Sequence, residues 1–457
     1  MFGIANYKLI LAVPLLFILV LLTLRIGPVY PLTTGEGATL VIGQSDFTSG
    51  GSATTASGLD SPTDVAFDSS GNLWVVDNVN NRVLEYLKGN GFTTGESASL
   101  VIGQSGLGSG VSGVSADRLS RPHGITFDSS GNLWVADYAN HRVLEFLKGS
   151  GFTTGESASL VIGQSDFTSN ASRLTAAGMG APESVVFDSS GNLWVADFTN
   201  SRVLEYLKGN GFTTGQSASL VLGQLDFTSG GRAHTASGLS GPLSVIFDTS
   251  GNLWVADRGN NRVLEYLKGN GFTTGESASL VIGQSNFISS GSATTDTNLY
   301  HPFDLAFDTS GNLWVADGDN RRVLEYLIGD GFVTGESASL VIGQSDFTSR
   351  VTETTAGGLS GAQSVTFDSS GNLWVSDYFN RRVLAYSGSL QGTTTTTSTS
   401  TSTTTATSTT VSVTTLTSVA VTTAQGSGTL DLSMVGIIAV ASLVVGVAIG
   451  YFLRRRG

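Results

Sequence analysis

Few side chains in this sequence have the chemistry to bind a metal ion. Cysteine is absent, and the only histidines are His123, His141, His234 and His301. Three histidines that leave one position open to water form a catalytic zinc site, and carboxylates are also zinc ligands. His123, His234, His301 and Glu183 are therefore a candidate metal-binding set. Surface histidines without a ligand are the alternative.

Carboxylates provide a second candidate site. Glu183 with Asp64 and Asp304 could bind a cation, because hard cations prefer carboxylate oxygens. The sequence contains no G-x-S-x-G nucleophile motif, no phosphate-binding loop and no H-E-x-x-H zinc motif. No cofactor is therefore expected, and a divalent metal is the alternative.

A repeated element must position these residues. The stretch FDSSGNLWVVDNVNNRVLEYL begins at Phe67 and returns every 60 residues, at Phe127, Phe187, Phe247, Phe307 and Phe367. Each copy carries one tryptophan: Trp74, Trp134, Trp194, Trp254, Trp314 and Trp374. A fixed period of this length indicates a repeat architecture.

One repeat contains four predicted strands. In the first copy they cover residues 64–68, 72–77, 82–87 and 99–104. Turns rich in glycine and polar residues separate them, and no segment of helical length has a 3.6-residue period. The repeat is therefore predicted to be a four-stranded antiparallel meander. Six such meanders arranged around an axis form a β-propeller.

The two ends of the repeat array predict a closed ring. The sixth copy ends at Tyr386 without its fourth strand, and a spare copy of that strand, residues 38–44, precedes the first repeat. Pairing between the two would remove the exposed edges of an open array. We therefore predict an all-β, six-bladed propeller in which the N-terminal strand closes the last blade.

The pattern G-N-L-W-V-x-D-x-x-N-x-R-V-L resembles the NHL repeat. The matching residues of the first copy are Gly71, Trp74, Asp77, Asn80, Arg82 and Val83, and the five later copies match in phase. The resemblance covers residues 38–386 and implies a propeller of the NHL type. Propellers of this family bind proteins or RNA, form surface proteins or act as lyases. This repeat is longer than the ~40–45 residues usual for a blade.

The resemblance also suggests a place for the histidines. NHL-like peptidylamidoglycolate lyases hold a metal near the propeller axis with several histidines. Here His123 and His301 lie at or near the starts of first strands, close to the predicted axis. The equivalent starts in the other copies are Thr63, Glu183, Leu243, Phe303 and Gln363. A set of three histidines would therefore need His234 from a loop.

The charge of the chain argues against nucleic acid as a partner. Lysine and arginine number 23 against 36 aspartate and glutamate residues, which gives a formal net charge of −13. Proteins that bind nucleic acids usually present a basic face.

The segments that flank the repeats predict a surface protein anchored in the cell membrane. The predicted divisions are a signal peptide or N-terminal membrane segment (1–31), the propeller (32–390), a Thr/Ser-rich stalk (391–431), a transmembrane helix (432–453) and a cytoplasmic tail (454–457). Three consecutive arginines follow the predicted helix. By the positive-inside rule, the tail is expected in the cytoplasm and the propeller outside the cell.

The six copies differ mainly in one class of loops. The loops between the first and second strands and between the third and fourth are nearly identical, and we call their side of the propeller the invariant face. The remaining loops emerge on the opposite side, the variable face. Its candidate binding residues are aromatic residues, which we expect to be exposed, and arginines: Tyr138, Phe198, Arg258, Tyr300, Phe303, Arg321, Tyr378, Phe379 and Arg381. Tolerant loops without a ligand are the alternative.

The sequence thus favours a binding module, such as an adhesin, a receptor or an envelope component. Its expected partner is a protein or glycan outside the cell, and its expected membrane attachment is the C-terminal helix. The alternative is an extracytoplasmic lyase or hydrolase with a metal site at the mouth of the central channel.

Asp77 and Arg82 recur in every copy and are predicted to form structural pairs rather than active sites.

Overall fold

The computed structural model describes residues 32–269, 271–329 and 331–387. The chain divides into two compact units, Met1–Gly388 and Ser389–Gly457, and the described residues all belong to the first. The predicted N-terminal segment, stalk, transmembrane helix and cytoplasmic tail lie outside these residues. Among the residues described, no helix is both long and apolar enough to cross a membrane.

The described part of the chain contains six four-stranded antiparallel sheets. The first three blades comprise β2 (Pro62–Phe67), β3 (Leu73–Asp77), β4 (Arg82–Tyr86) and β5 (Leu100–Ile102); β6 (Pro122–Phe127), β7 (Leu133–Asp137), β8 (Arg142–Phe146) and β9 (Leu160–Ile162); and β10 (Pro182–Phe187), β11 (Leu193–Asp197), β12 (Arg202–Tyr206) and β13 (Leu220–Leu222).

The last three blades are built in the same way. They comprise β14 (Pro242–Phe247), β15 (Leu253–Asp257), β16 (Arg262–Tyr266) and β17 (Leu280–Ile282); β18 (Pro302–Phe307), β19 (Leu313–Asp317), β20 (Arg322–Tyr326) and β21 (Leu340–Ile342); and β22 (Ala362–Phe367), β23 (Leu373–Asp377) and β24 (Arg382–Tyr386), completed by β1 (Leu40–Ile42). Short 3-10 helices cover Lys88–Asn90, Tyr138–Asn140, Arg258–Asn260, Gly318–Asn320 and Tyr378–Asn380.

The blades form a closed ring. The first strand of each blade contacts the first strand of the next, and β22 contacts β2 to complete the circle. The first strands therefore line the axis. This arrangement confirms the predicted all-β, six-bladed propeller.

The hydrophobic core lies between neighbouring blades. Each tryptophan is at most 3% exposed and packs on the following blade. For example, the ring of Trp194 meets Phe247 and Phe272 edge-on, with centroid distances of 5.6 and 5.1 Å. Because no single blade can bury both of its faces, each seam depends on the next blade.

The N-terminal strand closes the sixth blade, as predicted. β1 pairs antiparallel with β24, and Leu40 lies opposite Ala385. Upstream of β1, Leu32 packs against the core between the fifth and sixth blades, at the repeat position that Phe92 and its counterparts occupy elsewhere. The closing segment therefore extends from residue 32 to the end of β1.

The fourth strand of each blade is shorter than predicted. In the first blade it ends at Ile102, because Gly103 takes a φ of +84° and leaves the extended conformation. A Cβ at this position would lie 2.5 Å from the side chain of Leu119. The glycine thus allows the loop to turn back closely over the blade seam.

Candidate binding site on the variable face

A buried polar cluster in each blade holds the loops of the variable face. In the third blade, Arg202 Nε donates to Asp197 Oδ2 over 2.7 Å, and Asn200 Nδ2 donates to the same oxygen over 2.9 Å. Arg202 also donates to the carbonyls of Thr175 and Phe227, which lie in the loops before and after the blade. Equivalent arginine–aspartate pairs recur in all six blades. They are structural pairs, as predicted, and they support long loops on a rigid base.

In the first four blades, the residue that follows the second-to-third turn joins neighbouring blades. Asn81, His141, Ser201 and Asn261 each accept a hydrogen bond from a backbone N–H of the next blade. His141 does so through Nδ1, over 2.9 Å from the nitrogen of Ala181. Burial lowers the pKa of His141, which favours the neutral imidazole that this bond requires. His141 therefore has a structural role that the sequence did not suggest.

Two concentric rings of diverged residues meet at the axis. The inner ring comes from the starts of the first strands: Thr63, His123, Glu183, Leu243, Phe303 and Gln363. The outer ring comes from the second-to-third turns: Asn78, Tyr138, Phe198, Arg258, Gly318 and Tyr378. Together they form the mouth of the channel. The cavity inside the inner ring measures about 30 Å³.

The acidic residues beneath the mouth are used by the fold. Asp64 accepts hydrogen bonds of 2.8 Å from the nitrogen of Ile125 and from Ser364 Oγ, and so joins the first blade to both of its neighbours. Asp304 accepts from the nitrogen of Val365 over 2.9 Å. Desolvation, assisted by the charge of Asp304, raises the pKa of Asp64 to about 8. These groups behave as interblade acceptors, and Glu183 does not join them in a cation site.

Glu183 pairs instead with a histidine. His123 Nδ1 lies 2.6 Å from Glu183 Oε2, and the glutamate side chain is 9% exposed. The imidazole stacks on the ring of Tyr138, with centroids 4.4 Å apart. This pair links the second and third blades at the mouth, and His123 and Glu183 are the members of the candidate metal set that the structure brings together.

The other two candidate metal ligands lie elsewhere. His301 Nδ1 is 2.6 Å from Asp319 Oδ2, and His234 is exposed on the loop before the fourth blade. Within the part of the chain that the structure describes, no group of three or more histidine, aspartate or glutamate side chains is placed to hold a metal ion. The set His123, His234, His301 and Glu183 is therefore not assembled.

The aromatic residues of the variable face are less exposed than expected. Phe379 is 60% exposed, whereas the remaining five rings are half-buried: Tyr138, Phe198, Tyr300, Phe303 and Tyr378. These aromatic side chains pack against neighbouring residues. Tyr300, for example, lies under the guanidinium of Arg350, 4.9 Å from its ring centroid. The expectation of fully exposed rings is wrong for these five because the loops fold down against the mouth.

The three candidate arginines differ in their surroundings. Arg381 is tied to Asp60 Oδ1 over 3.3 Å and to the carbonyl of Gly50, across the seam between the sixth and first blades. Arg321 occupies a left-handed turn position, with φ of +57°. Arg258 lies over the ring of Phe303, with its guanidinium carbon 5.4 Å from the centroid. Arg258 alone among the three belongs to the mouth.

One position at the mouth could not be recognised as important from the sequence. Gly318 is the only glycine of the outer ring, and the ring of Phe303 fills the space beside it. A Cβ at Gly318 would lie 2.0 Å from Cδ2 of Phe303. The one available signal was a lone glycine at a position where the other five copies carry side chains.

Comparisons with known proteins agree with this architecture. The NHL repeat family model matches residues 59–86, 119–146 and 180–206. No curated protein sequence matches the chain. A protein of unknown function from Bacteroides thetaiotaomicron is similar in structure, with 14% identity, a TM-score of 0.50 and coverage of 76% of this chain and 74% of that one.

Two further solved structures have weaker similarity. An auxiliary nutrient binding protein from Bacteroides ovatus is 13% identical, with a TM-score of 0.45 and coverage of 76% of each chain. Virginiamycin B lyase from Staphylococcus aureus is 12% identical, with a TM-score of 0.39 and coverage of 70% of this chain and 78% of that one. At these identities the likeness concerns the fold alone. The three family matches, one on each of the first three blades, together with the six-bladed architecture, support an NHL-repeat β-propeller family for this chain.

Proposed function

We propose that this propeller is a binding module that recognises a ligand outside the cell at the mouth of its variable face. One observation carries the proposal: the buried arginine–aspartate pair is the same in every blade, whereas the inner ring at the mouth has six different residues and the outer ring has five residue types in six blades. A rigid scaffold that presents diverse loop residues is the usual arrangement of a recognition surface.

The positions of the chain ends support an orientation for this surface. Leu32 and Ser387 both fall in the third-to-fourth connection of the sixth blade, which belongs to the invariant face. Ser387 Oγ lies 2.9 Å from Thr39 Oγ1 of the closing segment. Membrane attachment through either flanking segment would therefore begin on the invariant face, which leaves the variable face free to bind a ligand.

The test truncates side chains on each of the two faces in turn. Full-length protein is screened against arrays of glycans and proteins, beside a variant with Tyr138→Ala, Phe198→Ala and Tyr378→Ala. We expect this variant to lose most of the binding, because truncation of an aromatic anchor costs about 2 kcal/mol or more. The matched control, Lys88→Ala with Lys208→Ala on the invariant face, should retain it. Loss of binding in the lysine variant alone would place the ligand on the other face.

The His123–Glu183 pair supports a second candidate, an enzyme that uses the mouth as its active site. A carboxylate 2.6 Å from one imidazole nitrogen can hold the ring in one orientation, as the carboxylate of a Ser-His-Asp triad does. This candidate predicts a lyase or hydrolase whose rate depends on the pair. Turnover of an array ligand that disappears in His123→Gln, while the affinity for that ligand is kept, would favour the enzyme over the pure binding module.

A further inference from the structure

The surroundings of Arg258 indicate the chemistry of the ligand. We propose that Arg258 is an anion-recognition residue at the mouth and that the ligand is a saccharide carrying a carboxylate, of the uronic acid type. This inference rests on the proposed function and adds the class of molecule that the variable face binds.

Arg258 is held in place by neighbouring side chains. The absence of a side chain at Gly318 lets the ring of Phe303 occupy that space. The guanidinium of Arg258 then lies 5.4 Å from the centroid of that ring. A cation over an aromatic face is attracted to it and loses freedom before a ligand arrives. The stack therefore presents a pre-positioned guanidinium.

The hydrogen-bond donors of Arg258 are unused. Within the described residues its guanidinium has no hydrogen-bond or ion-pair partner, in contrast to the buried Arg202, whose donors are all directed at oxygens of the chain. The planar fork of an arginine matches the two oxygens of a carboxylate. A half-buried guanidinium with free donors is therefore suited to a carboxylate from outside the chain.

The charge of Arg258 acts on two titratable neighbours, Asp319 and Tyr138. Desolvation acts to raise the pKa of Asp319, but the hydrogen bond and charge of His301, together with Arg258 and Arg350, lower it. The carboxylate of Asp319 is bonded to His301, which leaves Arg258 free. Burial and Glu183 raise the pKa of Tyr138, and Arg121 and Arg258 oppose this rise. Arg121 and Arg258 thus both bring positive charge to Tyr138 at the mouth, in a protein whose net charge is negative.

The neutral polar groups at the mouth favour a saccharide. The cavity at the axis is small, about 30 Å³, so a ligand at the mouth would contact mainly the side chains that surround it. Gln363 lines the mouth, and its amide is unpaired among the residues described, whereas the Thr63 hydroxyl already donates to the carbonyl of His123 over 2.9 Å. A ligand with several hydroxyl groups and one carboxylate satisfies the Gln363 amide and Arg258 together.

The experiment compares acids with their esters. Oligosaccharides of galacturonate, glucuronate, mannuronate and guluronate, and the methyl ester of each, are titrated into the full-length protein by calorimetry. We expect at least one acid to bind and its ester to bind about tenfold more weakly or worse, the usual size of a charged hydrogen bond. Added salt should weaken the acid but not the ester.

Two variants test whether the effect belongs to Arg258. Arg258→Gln should reduce the affinity for the acid about tenfold and leave that for the ester unchanged. Gly318→Ala should lower the ratio of acid to ester affinity as well, because it displaces Phe303 from under the guanidinium. Arg232→Gln is the control, since Arg232 is an exposed arginine of the variable face that does not line the mouth.

Each contrary result has a distinct meaning. Equal affinity for acid and ester, or an acid whose binding survives Arg258→Gln, would overturn the inference and leave the proposed function intact. Failure of every uronate to bind would also overturn it, and the glycan and protein arrays would then decide the proposed function separately. Binding of N-acetylphenylalanine in place of the uronates, with loss in Arg258→Gln, would refute the saccharide and retain the carboxylate.

Discussion

The buried Asp–Asn–Arg cluster and the two rings at the mouth lie on the same side of the propeller and behave in opposite ways. In every blade the cluster has the same residues and the same arginine–aspartate contact, and none of its members is more than 8% exposed. At the mouth, the equivalent positions carry an ion pair in one blade, a cation–π pair in another and a glycine in a third. One side of a propeller can thus combine an invariant buried cluster with different contacts at the mouth. The Asp–Asn–Arg cluster holds the bases of the loops, whatever residues lie at their tips.

The largest effect should follow from opening the ring. Deletion of residues 32–45 removes β1 and leaves the sixth blade with three strands and an exposed edge. We expect a loss of several kcal/mol in the free energy of unfolding, because a whole buried strand is removed. Thermal unfolding followed by circular dichroism measures the change. An unchanged melting temperature would show that the stability of the propeller does not depend on closure of the ring by β1.

A smaller loss of stability should distinguish the buried Asp–Asn–Arg cluster from the mouth. Asp197→Ala leaves Arg202 buried without its partner, which should cost about 3–5 kcal/mol. Glu183→Gln at the mouth keeps a polar group beside His123 and should cost about 1 kcal/mol or less. Urea denaturation of both variants gives the two values. Similar losses would mean that the mouth is part of the structural core.

The blade seams should respond to pH through His141. Because burial lowers the pKa of His141, the unfolded chain binds the proton more tightly than the folded protein. The stability contributed by the neutral imidazole is therefore present above the unfolded pKa of about 6.5 and decreases as the pH falls below it. His141→Asn, which copies Asn81 and Asn261, should be less sensitive to acid. Melting temperatures measured above and below that pH test this, and parallel curves for both proteins would contradict it.

The smallest effect is expected at the tyrosine that ends the third strand. The hydroxyl groups of Tyr86, Tyr206, Tyr266, Tyr326 and Tyr386 are buried without a hydrogen-bond partner in the described structure, and the second blade has Phe146 at this position. Tyr206→Phe should therefore change the stability by no more than about 1 kcal/mol, in the stabilising direction, because an unpaired buried hydroxyl is costly. A clear destabilisation in chemical denaturation would reveal a partner for the hydroxyl.

Several features of the candidate site depended on contacts that no sequence pattern could show. The sequence identified the variable face and the starts of the first strands, but it gave His141 no role and treated the aromatic rings as exposed. It grouped His123 with Glu183, His234 and His301, whereas the structure brings only His123 and Glu183 together, from neighbouring blades. These errors share one cause: a side chain on a loop is positioned by the neighbouring blade, and the repeat pattern describes only its own blade.

The amino-acid sequence by itself determined the number of blades, the strand order within each blade, the closing strand and the structural arginine–aspartate pairs. These follow from a period of 60 residues and from local alternation, which repeat six times and so reinforce each other. Tertiary structure alone decided which diverged residues meet at the axis, how deep the mouth is and which charges remain unpaired there. Ring closure sets those contacts, because it brings together side chains from different blades that lie far apart along the chain.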